Sequence, residues 1–129
     1  MLYGYIEYQK GSGIEAVKRL ERAVGLGERS MALRSLQAAA YYLVWDIFRT
    51  MSMLDTLDEL TPVTAEDYLF RGHAETIEDP MVGLKNIQKG FDLRPQSPIA
   101  LFMRSEALIF IASNTTDVGK AKQAQDDIG

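Results

Sequence analysis

The stretch Thr64 to Gln96, TAEDYLFRGHAETIEDPMVGLKNIQKGFDLRPQ, decides the fold. Thr64 with Asp67 three residues later is a capping-box pattern, in which two side-chain oxygens satisfy the orphan amides at a helix start. Asp79-Pro80 marks a second start, an aspartate to cap and a proline whose missing N–H is no loss in the first turn. It opens a helix over Met81–Leu93. Pro95 closes that helix and Pro62 the one before this stretch, because proline cannot donate into the helical ladder. Gly72 and Gly83 fall inside the two segments. Where helices cross closely, nothing beyond a small side chain fits, and Gly72 is the expected crossing position.

Working outward, the same spacing returns along the whole chain. Small residues stand at Gly4, Ala38, Gly72 and Ser105, in steps of 34, 34 and 33 residues. A second ladder, Ala16, Thr50 and Gly83, has steps of 34 and 33, and Pro62 to Pro95 is again 33. Leu20, Leu54 and Ile87 are expected opposite the first ladder, filling the space between hairpins. The helices predicted are a short first segment ending at Gly11-Ser12-Gly13, then Ile14–Leu26 capped by Gly25 and Gly27. Met31–Leu60 has no Gly or Pro, and reads either as two helices broken near Val44-Trp45-Asp46 or as one kinked helix. Ile99–Ala112 follows, then a polar turn Asn114-Thr115-Thr116-Asp117 and a last helix Val118–Ile128. Eight helices in four hairpins result, in one domain over 1–129 with units at about 1–30, 31–63, 64–96 and 97–129.

A period near 34 with these residues resembles the tetratricopeptide repeat family. In the third unit Tyr68 stands in the family's aromatic slot and Gly72 in its glycine slot. Gly83 and Ile87 take the Ala-x3-Phe slots and Pro95 the proline slot. Arg71 and Glu75 depart from the leucine and tyrosine slots. The first unit keeps Gly4, Ala16, Leu20 and Ala23; the second keeps Ala38, Tyr41, Leu54 and Pro62; the fourth keeps Leu101, Ser105 and Leu108. The resemblance implies an all-α fold, a right-handed α-α superhelix of about four helical hairpins, whose work is to hold another protein. Asp67–Leu69 with Ser97–Ala100 and Arg104–Ala107 are also similar to arrays attached to bacterial serine/threonine kinases. A structural or dimerisation segment of a larger protein is therefore the alternative expectation, although no kinase signature motif is present.

The 129 residues are 47% hydrophobic and 25% charged, which suits a chain able to bury a core. A formal net charge of −4 disfavours a nucleic-acid partner, since phosphate binding needs a concentrated basic face. Cysteine is absent, so disulfides and thiolate metal sites are excluded. No apolar run nears the roughly 20 residues of a membrane helix, and Met1–Lys10 lacks the form of a secretion signal. A cytoplasmic protein with no membrane partner is expected.

Chemistry is sparse. His73 is the single histidine, and on one helix Glu75 and Glu78 do not share its face, so it is read as a polar surface residue and not a base or metal ligand. Asp55-x-x-Asp58-Glu59 and Asp126-Asp127 read as solvated acidic faces. Lys18, Arg19 and Arg22 with Arg29 and Arg34 form a basic helix flank. Gly11-x-Gly13 and Gly25-x-Gly27 have no preceding strand and do not make a phosphate loop. Neither a catalytic residue nor a cofactor or metal is implied, and the chain is not expected to be an enzyme.

The resemblance does imply a ligand groove, lined by the first helix of each hairpin. On this chain it maps to Tyr5, Tyr8, Ser35, Ala39, Tyr42, Leu69, His73, Thr76, Phe102, Glu106 and Ile109. The Lys, Asn and Arg set that grips carboxyl termini in some family members is missing. The surface is apolar and aromatic, which suits an amphipathic helix or extended apolar segment of another protein. The chain opens about four residues inside the first repeat, leaving Leu2, Tyr3 and Ile6 on a short element. Self-association as a homodimer through anchors such as Tyr5, Tyr42 or Phe102 is expected to cover such surface.

Overall fold

The computed structural model describes residues 2–28 and 30–115, with the side chains of 2, 3, 114 and 115 left aside. The expected helix Val118–Ile128, its Asp117 cap, Asp126-Asp127 and Arg29 lie outside the described residues. Among the described residues there are seven α-helices and no strand: α1 Leu2–Gln9, α2 Gly13–Gly25, α3 Met31–Leu43, α4 Ile47–Leu57, α5 Ala65–Glu75, α6 Pro80–Leu93 and α7 Pro98–Thr115. The fold is all-α. They fall into two compact units, Met1–Pro62 and Val63–Gly129.

In the first unit α1 packs on α2, α2 on α3, and α3 on α4. The three connections share one geometry. After α1 the amides of Gly11 and Ser12 return to the carbonyls of Tyr8 and Glu7, with Gly11 at φ +77°. After α2 those of Gly27 and Glu28 return to Val24 and Ala23, with Gly27 at φ +100°. After α3 those of Trp45 and Asp46 return to Tyr42 and Tyr41. These are Schellman turns, whose pivotal residue must adopt the left-handed conformation that glycine accepts freely. In the third turn the pivot is Trp45, at φ +61°. The break at Val44-Trp45-Asp46 thus separates two helices, and the kinked-helix alternative does not hold. Gly25, expected to help cap α2, is instead its last helical residue.

The helices start where local chemistry directs. Ser30 Oγ accepts from Leu33 N at 3.1 Å, and Asp46 Oδ1 accepts from Arg49 N at 3.1 Å. The Thr64–Asp67 capping box is complete: Thr64 Oγ1 accepts from Asp67 N at 3.1 Å, and Asp67 Oδ2 from Thr64 N at 3.2 Å. Asp79 Oδ1 accepts from Met81 N and Val82 N at 3.1 and 3.4 Å, ahead of Pro80 at the first position of α6. Helix α7 runs on to Thr115, so Asn114-Thr115 continue the helix where a turn was expected.

In the second unit α6 packs on both α5 and α7, and α5 also reaches α7. The α5–α6 contact is backbone against backbone. A β-carbon on Gly72 would lie 2.6 Å from Gly83 O and 2.7 Å from Ile87 N; one on Gly83 would lie 2.5 Å from Gly72 O. In the first hairpin the close approach at Gly4 is to a side chain, since a β-carbon there would sit 2.5 Å from Leu20 Cδ2. Every residue of both ladders is buried: Gly4, Ala38, Gly72 and Ser105, then Ala16, Thr50 and Gly83. Leu20, Leu54 and Ile87 are buried as well. The periodic positions are therefore packing positions.

Candidate functional site

The residues expected to line a groove meet three different fates. Ser35 and Ala39 are fully enclosed in α3, which is buried from Met31 to Tyr41 except at Arg34. Ser35 Oγ donates to its own helix, to Met31 O at 2.8 Å. Leu69 is also interior, filling the space left by Gly90, where a β-carbon would approach its Cγ to 2.6 Å. None of these three side chains is on the exposed face assigned to them. Tyr5 and Tyr8 are half-buried on α1. Tyr42, Phe102, Glu106 and Ile109 are exposed, and His73 and Thr76 lie between the extremes.

Three of the eleven come together in the second unit. His73 Nδ1 on α5 lies 3.5 Å from Glu106 Oε1 on α7, and Thr76 Oγ1 donates to His73 O at 2.5 Å. The expectation that no acid shares the face of His73 is corrected here: the partner comes from another helix, not from Glu75 or Glu78. The His73 side chain is only 13% exposed and that of Glu106 is 48% exposed. Burial disfavours charge on both. It holds the His73 imidazole down at about 4, so the ring is neutral at pH 7, and it raises the Glu106 carboxyl. Glu75, two residues on from His73, is occupied by Arg71 Nε at 3.6 Å and by the side-chain amide of Asn86. Around the pair, Phe102 and Ile109 stand one turn either side of Glu106 on α7. The helix has apolar residues on both faces. Met103, Leu108 and Ile111 are buried, while Phe102, Ile109 and Phe110 remain exposed.

A second surface lies in the first unit. Trp45 is 76% exposed and Phe48 85% exposed, beside exposed Tyr42, Ile47 and Met51. The rings of Tyr42 and Trp45 are 5.9 Å apart, centre to centre. Asp46 secures the turn beneath them. Its carbonyl accepts from Thr50 Oγ1 at 2.9 Å, and its Oδ2 lies 3.6 Å from Arg49 Nε, whose guanidinium stands over the Tyr41 ring. The Tyr41 hydroxyl donates to Glu21 Oε1 at 2.9 Å; its burial, then that bond, raises its pKa. Neither Trp45 nor Phe48 was among the residues expected from the family resemblance. The signal was a bulky aromatic in a turn that offered no glycine. A left-handed non-glycine residue costs roughly 1–2 kcal/mol, and large exposed aromatics mark contact surfaces.

Among the described residues no cluster of three or more histidine and carboxylate side chains is placed to hold a metal ion, and no helix is long and apolar enough to cross a membrane. No protein-family model matches the sequence, and no curated protein matches it.

Proposed function

We propose that this chain is a non-catalytic protein-interaction module of the cytoplasm, a tetratricopeptide-like array whose hairpins stack in a right-handed superhelix. It binds an amphipathic helix or an extended apolar segment of another protein. The observation that carries this reading is α7, an 18-residue helix that keeps Phe102, Ile109 and Phe110 exposed while its other face is buried. A helix apolar all round belongs in an interior. The His73–Glu106 pair marks the same face with one carboxylate, which favours a partner helix carrying a lysine or arginine among its apolar residues. Repetition supports the fold half of the reading: the Gly4–Leu20 and Gly72–Ile87 contacts fall at the same ladder positions in two hairpins.

The test is selection of 20-residue amphipathic helices from a displayed library against the whole chain, followed by fluorescence anisotropy. Selected peptides should share a basic residue flanked by apolar ones, and Phe102→Asp should weaken them at least tenfold. If no peptide is enriched, or if Phe102→Asp leaves binding unchanged, this face is not the ligand surface.

A further inference from the structure

We infer that the aromatic surface of the first unit is a self-complementary interface that receives a second copy of this chain. Its residues belong to the first unit and those of the α5–α7 face to the second, and the inference stands whether or not that face binds a peptide.

Area is the first argument. Aromatic side chains present about 150–250 Å² each. The exposed fractions of Trp45, Phe48 and Tyr42, with those of Ile14, Ile47 and Met51, then amount to on the order of 600 Å². That is at the upper limit of about 300–600 Å² for the largest apolar patch on a typical monomer. It approaches the roughly 800 Å² per partner of a standard interface. Ile14 belongs to the patch because α2 begins against the end of α3: a β-carbon on Gly13 would lie 2.8 Å from Val44 Cγ1 and 3.1 Å from Leu43 Cβ.

Charge is the second argument, and it selects the occupant. Helices α2 and α4 both pack on α3, and both start at the apolar end. Along α2 an exposed stripe at four-residue steps reads Ile14, Lys18, Arg22. Glu15 lies 3.6 Å from Lys18, and Glu21 is taken by Tyr41. Along α4 one exposed face passes from Ile47, Phe48 and Met51 to Asp55, with Asp58 and Glu59 just past its end; Arg49, exposed as well, lies 3.6 Å from Asp46. Carboxylates at a helix C-terminus oppose its dipole, so α4 alone gives no reason for them. Helices α2 and α4 thus both run from the apolar end, one bearing exposed basic residues and the other exposed acidic ones. A two-fold axis parallel to the helices would bring apolar end onto apolar end, and α2 of each copy onto α4 of the other. Basic then meets acidic twice, which is what a closed isologous contact requires. A foreign partner would have to match both signs and the apolar end; a second copy matches them by symmetry.

The experiment is sedimentation equilibrium on the full chain and two charge-reversed variants, Lys18→Glu/Arg22→Glu and Asp55→Lys/Glu59→Lys. All four positions are exposed, and circular dichroism verifies that the variants fold. The wild-type chain should dimerise. Each variant alone should associate at least tenfold more weakly, because like charges would face each other in both arms. An equimolar mixture of the two should recover the dimer, since every α2–α4 contact is again between opposite signs. A wild-type chain that stays monomeric at several hundred micromolar overturns the inference. So does a wild-type dimer with a mixture that remains monomeric, which would place the dimer contact elsewhere.

Discussion

Two hairpins of this molecule solve the same problem in opposite ways. Helices α5 and α6 meet through Gly72 and Gly83, with no side chain between their backbones, and their turn is set by Asp79 and Pro80. Helices α3 and α4 are joined by a Schellman turn whose pivot is a tryptophan, with Trp45 and Phe48 held out in water. At α5–α6 each local choice serves packing. At α3–α4 the turn accepts backbone strain and exposes apolar surface, and neither helps the isolated chain fold. Residues that break local rules are the ones to suspect of binding.

The contrast is broken most severely by filling the crossing. Gly72→Leu should destabilise by about 3 kcal/mol or more, because the atoms its β-carbon would meet include backbone, which cannot rotate away. Gly25→Ala is the control. Gly25 lies within α2 with open space around it, and alanine there should stabilise by about 0.5–1 kcal/mol. Urea titrations of both variants check this; equal midpoints would mean the crossing is not tight.

The next effect is in pH. The folded-state pKa of His73 is depressed from 6.5 to about 4, so the folded chain binds fewer protons there than the unfolded chain. Its contribution is whole above pH 6.5 and is lost as pH falls through 4, about 3 kcal/mol in all. Glu106 runs the other way: with a raised pKa, its contribution is present below 4.5 and lost as pH rises through the folded value. Relative to His73→Gln, the wild type should therefore lose stability between pH 6.5 and 4 in parallel thermal melts. Matching pH profiles would show that the ring is not buried in solution.

What could be read beforehand follows from the range of the interactions. The α5–α6 hairpin is spelled out by local signals, namely a capping box, an Asp-Pro start and glycines at a fixed spacing. The buried ladders were legible because a period survives even where identities drift. Face assignments were not. Ser35, Ala39 and Leu69 occupy the slots of a groove-lining template, yet the burial of α3 and the gap at Gly90 set their true environment. The contact of His73 with Glu106 joins residues from different helices, and no helical spacing rule reaches that far. Trp45 was hidden for another reason: a Schellman turn is recognised by its glycine, and here none is present.

A smaller effect sharpens the contrast within the second unit. Ser105 is buried on α7, and its hydroxyl has no hydrogen-bond partner among the described residues. An unsatisfied buried hydroxyl is costly, so Ser105→Ala should raise stability by about 1 kcal/mol. A loss of similar size in a urea titration would mean that the hydroxyl is bonded after all.

That the α3–α4 turn holds an aromatic at the expense of folding is tested by equilibrium unfolding of Trp45→Gly in dilute solution, where association does not contribute. Glycine takes φ +61° without strain, as Gly11 and Gly27 do at the two sister turns. A higher denaturant midpoint is expected, with a gain of up to about 1 kcal/mol. A midpoint below that of the wild type would show that Trp45 stabilises the fold and is not held there for binding.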